Sequence, residues 1–124
     1  MAMCLAPSIS TRDGKGILAL GTPGSYGILQ TQVQAMVGHV DFGLDIQAAI
    51  EMPRARLWDG KQIYLERRVP HSVCVELSAR GHDVALLPDY SWRTGGMQAV
   101  SRDPDSGAMA GGADSRRDGV VIPA

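Results

Sequence analysis

The spacing of apolar positions changes several times along the chain, and each change marks a new element. Ser8-Ile9-Ser10-Thr11 alternates and predicts a strand. Asp13-Gly14 is a hairpin signal, because that two-residue turn wants positive φ, and Gly16 to Leu20 is the return strand. Its end, Ile17-Leu18-Ala19-Leu20, reads as a short buried run leading into Gly21-Thr22-Pro23-Gly24-Ser25-Tyr26-Gly27. Beyond that turn, Leu29, Val33, Met36, Val37 and Val40 fall on one face of a helix. The glycines therefore sit between a strand and a helix N-terminus.

The second half follows the same grammar. Gly43 suits the position after a helix, and Asp45 is an N-cap for a short helix with Ile46, Ala49 and Ile50 on one face, stopped by Pro53. Ala55 to Trp58 and Ile63 to Glu66 flank Asp59-Gly60 as a second hairpin. Pro70 opens a helix whose buried face is Val73, Cys74 and Leu77, and Arg80-Gly81 ends it. Asp83 to Leu87 is a strand closed by Pro88, and Asp89 to Gly96 is a polar loop carrying Tyr90, Trp92 and Arg93. Met97 to Val100 and Ala108 to Gly111 are strands joined by the turn Asp103-Pro104-Asp105-Ser106-Gly107. The tail from Asp114 to Gly119 is charged. The sum is an α+β single domain over residues 1–124, built from hairpins with helices between them.

Composition narrows this picture. A chain of 124 residues with 44% apolar content supports one core, and with only 5% aromatics that core rests on aliphatic residues and alanine. A net charge of −1 supplies no field for nucleic acid or an anionic membrane, and no apolar run approaches a membrane span. No leader pattern is visible, so the chain as it stands reads as cytoplasmic. Cys4 and Cys74 resemble neither a disulfide framework nor a metal site; Cys74 reads as a small core residue. No cofactor or metal is expected.

The candidate chemistry sits at the central turn. The first amides of a helix lack internal partners and carry partial positive charge, so a glycine turn there can hold a carboxylate, a phosphate or a developing oxyanion. A turn without a ligand has the same spacing. A P-loop is excluded, since Ile28 follows Gly27 where a lysine is needed, and Gly21, Gly24 and Gly27 do not give a dinucleotide fingerprint. His39, His71 and His82 have no partner at a recognisable spacing and read as solvated. Arg67-Arg68 and Arg116-Arg117 read as solvated charge, with a salt-bridged tail as the alternative. Trp58 and Trp92 could line a pocket, although hairpin packing also accounts for Trp58.

Nearly the whole chain then resembles a known family. The blocks Ala6-Pro7-Ser8-Ile9, Asp13-Gly14-Lys15, Gly21-Thr22-Pro23-Gly24-Ser25, Asp41-Phe42-Gly43-Leu44-Asp45, Ala48-Ala49-Ile50, Pro53-Arg54, Arg80-Gly81-His82-Asp83-Val84, Gly112-Ala113-Asp114 and Arg116-Arg117-Asp118-Gly119 occur in the order found in gamma-glutamyltranspeptidases. They correspond to the C-terminal part of that family's small subunit. The resemblance implies an N-terminal-nucleophile hydrolase fold, an αββα sandwich of stacked antiparallel sheets. It also implies autocleavage before a threonine that then serves as nucleophile, its free α-amine acting as base. The reaction implied is γ-glutamyl transfer from glutathione or a related donor to water or an amino acid. The family's oxyanion donors are main-chain amides of a paired glycine, which here match Gly24 and Ser25. The serines that hold the donor's carboxylate fall on Met3 and Cys4.

Two departures shape the expectation. Ser25 stands for the second glycine, and Met3 and Cys4 cannot donate hydrogen bonds as serines do. An acyl group other than glutamyl, as in a cephalosporin-acylase-like relative, fits this loss. The family's threonine lies upstream of the region matched, and Thr11, Thr22, Thr31 and Thr94 are internal. The chain is therefore expected to be a fragment or subunit, inactive alone, pairing as a homodimer or with a large-subunit or N-terminal partner chain. Members of the family are often periplasmic or secreted. The alternative from another class is a non-catalytic, self-associating domain that keeps the fold.

Overall fold

The structure, a computed structural model, describes residues 5–123. Two sheets hold the chain. The first is antiparallel, in the order β1 (Ser8–Arg12), β2 (Lys15–Gly21), β6 (Gln98–Arg102), β7 (Met109–Ala113). The second contains β3 (Ala55–Leu57), β4 (Gln62–Glu66) and β5 (Asp83–Leu87). The helices are α1 (Ile28–Val40), α2 (Ile46–Glu51) and α3 (His71–Ala79).

The local signals act as expected. Asp13 and Gly14 both take positive φ, at 51° and 75°, and close the β1–β2 hairpin. The Asp45 carboxylate accepts from the Ala48 amide at 2.8 Å and caps α2. Gly43 and Gly81 take positive φ beyond α1 and α3. The core lies between α1, α2 and the inner face of the larger sheet, where Leu18, Leu20, Ala35, Ile46, Ile50, Met97 and Ala99 cluster.

Three features differ from the sequence reading. First, not every strand pair is a hairpin: β4 and β5 run parallel, because α3 carries the chain back to the starting end of β4. Second, the apolar stripe of α1 splits: Met36 packs against the core, while Leu29, Val33 and Val40 point outward. Leu29 and Val40 are each 65% exposed, while Ile28, Thr31, Gln32, Ala35 and Gly38 face inward. Third, α3 buries only Cys74; Val73 is exposed and Leu77 half-buried. The Cys74 thiol is free and points its weak donor at the Pro70 carbonyl, 3.7 Å away.

Glutamines close the sheet edges. Gln34 on α1 bonds both the amide and the carbonyl of Ala55 at 2.9 Å, and Gln30 does the same for Leu57 at 2.7 and 3.1 Å. The two glutamines are one helical turn apart, matching two residues on the same side of β3. Gln47 on α2 grips Ala113 of β7 in the same way, at 2.9 Å in both directions. The outward groups of β3, and of β7 at Ala113, are thereby satisfied and closed to a foreign strand.

Candidate active site

The central turn leaves β2 at Gly21 and enters a single 3₁₀ turn over Ser25–Gly27 before α1 begins. Gly24 has φ 140° and Ser25 has φ 53°. Ser25 thus holds a left-handed backbone that glycine would take more readily, at a cost of about 1 kcal/mol. The turn closes on itself through the Gly27 amide and the Gly24 carbonyl at 2.9 Å. Among the described residues, no protein acceptor takes the amide N–H of Gly24 or of Ser25.

A second loop braces this turn. The Gly96 amide donates to Thr22 Oγ1 at 3.0 Å, and Thr22 Oγ1 donates to the Pro23 carbonyl. Gly95 sits at φ 105°, and a Cβ there would come within 2.7 Å of Thr22 Oγ1. A Cβ at Gly24 would lie 3.6 Å from the Gly95 Cα, so the two loops pass close together, and the positive φ and the clash with Thr22 and Thr31 hold position 95 to glycine.

Behind the Gly95 loop lies a buried charge cluster. Arg54, Glu66, Asp114 and Arg116 are at most 6% exposed. Arg116 meets Glu66 through two donors at 2.7 Å each and reaches Asp114 at 3.1 Å; Arg54 meets Asp114 at 2.7 Å. Arg68, on the rim, adds a bond to Glu66 at 2.9 Å and covers Tyr90, 3.7 Å from the ring centre. The remaining donors end on main-chain carbonyls of Ile50, Met52 and Thr94. Burial alone would raise the Glu66 pKa, but the bonds and charge of Arg116 outweigh it and hold the carboxyl below its ordinary value. Asp114 is likewise held low against burial, chiefly by Arg54 and by the Met97 and Arg116 amides. Burial lowers the Arg54 pKa, with the like charge of Arg116 adding to it; Arg116 itself is raised, because its carboxylate partners overcome burial.

The arginine pairs are thus split by the fold. Arg116 is buried and salt-bridged while Arg117 is exposed, and Arg68 is half-buried while Arg67 is solvated. Tertiary placement creates the partners, so the solvated reading fails for Arg116. The cluster also secures the wall of the site. Glu66 accepts from the Ser91 amide and from Thr94 Oγ1, each at 3.0 Å, and Thr31 Oγ1 donates to the Thr94 carbonyl at 2.8 Å.

In front of that wall a cleft of about 480 Å³ opens, lined by Ser25, Tyr26, Arg56, Trp58, Tyr64, Trp92 and Arg93. Both sequence readings of Trp58 hold: it packs against Tyr64 across the hairpin, ring centres 6.5 Å apart, and it shares the cleft with Trp92. Arg56, Arg93 and Tyr64 are the cleft residues that the sequence reading did not mark as a site; only their period-two placement and the loop position of Arg93 hint at it. Met3 and Cys4 lie outside the described residues. The histidines stay apart: His71 is exposed, and His39 bonds the Leu44 carbonyl at 2.7 Å, so it is tied to the end of α1 rather than free in solvent.

A family model described as gamma-glutamyltranspeptidase matches residues 2–124. The chain belongs to the gamma-glutamyltranspeptidase family. Among its relatives is the Acylase ACY 1 proenzyme of Pseudomonas sp. (strain V22), 37% identical over 119 residues, with 95% of this chain and 20% of that protein covered. The Glutathione hydrolase proenzyme of Bacillus subtilis (strain 168) is 31% identical over 118 residues, again covering 95% of this chain and 20% of the relative. The crystal structure of cephalosporin acylase from Bacillus halodurans superposes with a TM-score of 0.87 at 34% identity, covering 94% of this chain and 22% of that one. The α+β fold is that of N-terminal-nucleophile hydrolases of the gamma-glutamyltranspeptidase family. The chain spans about a fifth of the length of these relatives.

Proposed function

We propose that this chain is the C-terminal part of the small subunit of a gamma-glutamyltranspeptidase-like amidohydrolase and supplies its oxyanion turn. The observation that carries this reading is the pair of uncommitted amides at Gly24 and Ser25, on a turn that borders the aromatic cleft. Amides already fixed in place can stabilise charge that develops on a carbonyl oxygen, and losing one such donor costs roughly 10²–10³ in kcat. They supply no nucleophile. Thr11 is exposed but internal, with no free α-amine, and Thr22, Thr31 and Thr94 are buried and internal, the first two engaged in bracing the loop. The attacking threonine therefore comes from elsewhere in the enzyme, and this chain alone is inactive.

The bare surfaces favour a partner. Leu29, Val33 and Val40 on α1 stand exposed, as do Ile9 and Val100 on the outer face of the larger sheet. In the amidohydrolase reading the rest of the enzyme covers them; in a self-associating domain a second copy does. Leu29→Glu with Val33→Glu prevents either association.

The test is turnover of γ-glutamyl- and glutaryl-4-nitroanilide by the complete, processed protein and by this chain alone. Hydrolysis by the complete protein only, retained by Ser25→Gly and reduced about 100-fold in kcat by Gly24→Val, supports the reading. Turnover by the isolated chain, or full activity in Gly24→Val, overturns it. The acylase form of the reading is favoured by the likeness to Acylase ACY 1 and by Met3 and Cys4 standing where serines would hold a glutamyl carboxylate. It predicts the glutaryl donor as the faster substrate.

A further inference from the structure

We propose that the cleft beside Ser25 seats the departing half of the substrate and selects a flat aromatic amine that carries a carboxylate. This rests on the amidohydrolase reading above and names the substrate class for that site.

The cleft concentrates the chain's scarce aromatic residues. Both tryptophans and two of the three tyrosines line it. Tyr26, Trp58 and Trp92 remain 69%, 49% and 62% exposed and fill no core, with Arg56 over Trp58 and Arg93 and Arg117 beside Trp92. Flat faces of this kind take a planar ring by stacking. A flexible aliphatic acyl chain gains far less from them.

Its charges are all of one sign. Arg56 and Arg93 line the cleft and, among the described residues, no carboxylate does. The Arg56 guanidinium lies 4.7 Å from the centre of the Trp58 ring and donates to the Arg93 carbonyl at 2.8 Å, while its buried Nε has no protein partner. Burial pushes the Arg56 pKa down, and the nearby charge of Arg93 adds to this against an opposing influence of Tyr64. Elsewhere in the molecule the buried arginines, Arg54 and Arg116, are each matched by a carboxylate. Among the described residues no carboxylate meets the cleft arginines, and a planar guanidinium binds a ligand's carboxylate in a forked, charge-assisted pair.

Ser25, an oxyanion donor in the reading above, lines the cleft, so a group held there lies beside the scissile amide. In acyl transfer the amide C–N bond breaks, the acyl carbon bonds to the attacking hydroxyl oxygen, and the hydroxyl proton passes to the departing nitrogen. With the carbonyl oxygen on the amides of Gly24 and Ser25, a ring on that nitrogen can lie along Tyr26, Trp58 and Trp92.

The experiment compares γ-glutamyl-4-nitroanilide with γ-glutamyl-3-carboxy-4-nitroanilide, and the matching glutaryl pair, on the complete processed protein. The expected result is a KM about tenfold lower for the carboxylated donor, a ratio that falls to near one in Arg56→Gln and in Arg93→Gln. Trp92→Leu raises KM for both donors and keeps the ratio. Equal KM values in the unaltered protein, or a preference that survives both arginine changes, overturns the proposal. If neither donor pair is turned over, the amidohydrolase reading falls, and calorimetric binding of 3-carboxy-4-nitroaniline against 4-nitroaniline decides the cleft. Tighter binding of the acid that is lost in Arg93→Gln supports it, and equal binding overturns it.

Discussion

Arg54 and Arg56 lie two positions apart and reach the same 3₁₀ turn, where they donate to neighbouring carbonyls, Thr94 at 3.1 Å and Arg93 at 2.8 Å. Their surroundings are opposite. Arg54 ends in a closed cluster where two arginines meet two carboxylates and nearly every donor has an acceptor. Arg56 ends in an open cleft of rings and a second arginine, with no acid and an unpartnered Nε. The same residue type therefore holds structure on one side of the turn and leaves charge on offer on the other. A guanidinium satisfied within the protein is part of the scaffold; one left short of acceptors in a partly dehydrated cleft is a receptor.

The contrast predicts where substitutions will hurt. Glu66→Gln leaves Arg116 with Asp114 as its remaining carboxylate partner and costs about 3–5 kcal/mol in urea unfolding, and Glu66→Leu combined with Arg116→Met does not recover it, because the Arg54 and Ser91 amides lose their shared acceptor. The same cluster sets acid sensitivity. Glu66 and Asp114 are held below their ordinary values of 4.5 and 3.8, so their contribution is complete above those values and disappears as pH falls through the depressed native ones. An unfolding midpoint that stays level from pH 7 to 5 and drops steeply below pH 4 is the expected profile, shallower in Glu66→Gln.

The loop between the two regions comes next. Gly95→Ala puts a side chain at φ 105° and against Thr22 Oγ1, at about 1–3 kcal/mol, and it disturbs turnover beyond its effect on stability because Thr22 and Gly24 shift with it. On the cleft side, Arg93→Gln changes unfolding by less than about 0.5 kcal/mol, since no carboxylate depends on it. A loss as large as that of Glu66→Gln would make Arg93 a scaffold residue like Arg116. The smallest effect belongs to Glu76→Ala. It breaks an ion pair with Arg80 on the outer face of α3, both partners more than 60% exposed, and costs at most about 0.5 kcal/mol.

Much of this organisation is local chemistry and can be read from residues in order. Asp13-Gly14, Asp45, Gly43 and Gly81 place turns and caps because their effects act within a few positions, and the Gly21–Gly27 turn marks the candidate site by the same logic. Charge pairing could not be read this way. Glu66 and Arg116 are fifty positions apart, and Arg116 next to Arg117 carries no mark of which one is buried. The same holds for the glutamines that close the sheet edges and for the parallel pairing of β4 with β5.

The apolar stripe of α1 shows the boundary most plainly. Sequence by itself determined that Leu29, Val33, Met36, Val37 and Val40 lie along one side of the helix, because helix periodicity is a property of the backbone. Only the tertiary structure decided which way the face points. Thr31, Ala35 and Gly38 let the helix sit closely on α2 and the Gly95 loop, and Gln30 and Gln34 tie it to β3. Sequence also placed a glycine turn around Gly24 between a strand and a helix, since backbone and glycine suffice for it. The aromatic and cationic cleft beside them was a tertiary decision, because it joins a helix start, a hairpin and a distant loop that no local rule brings together.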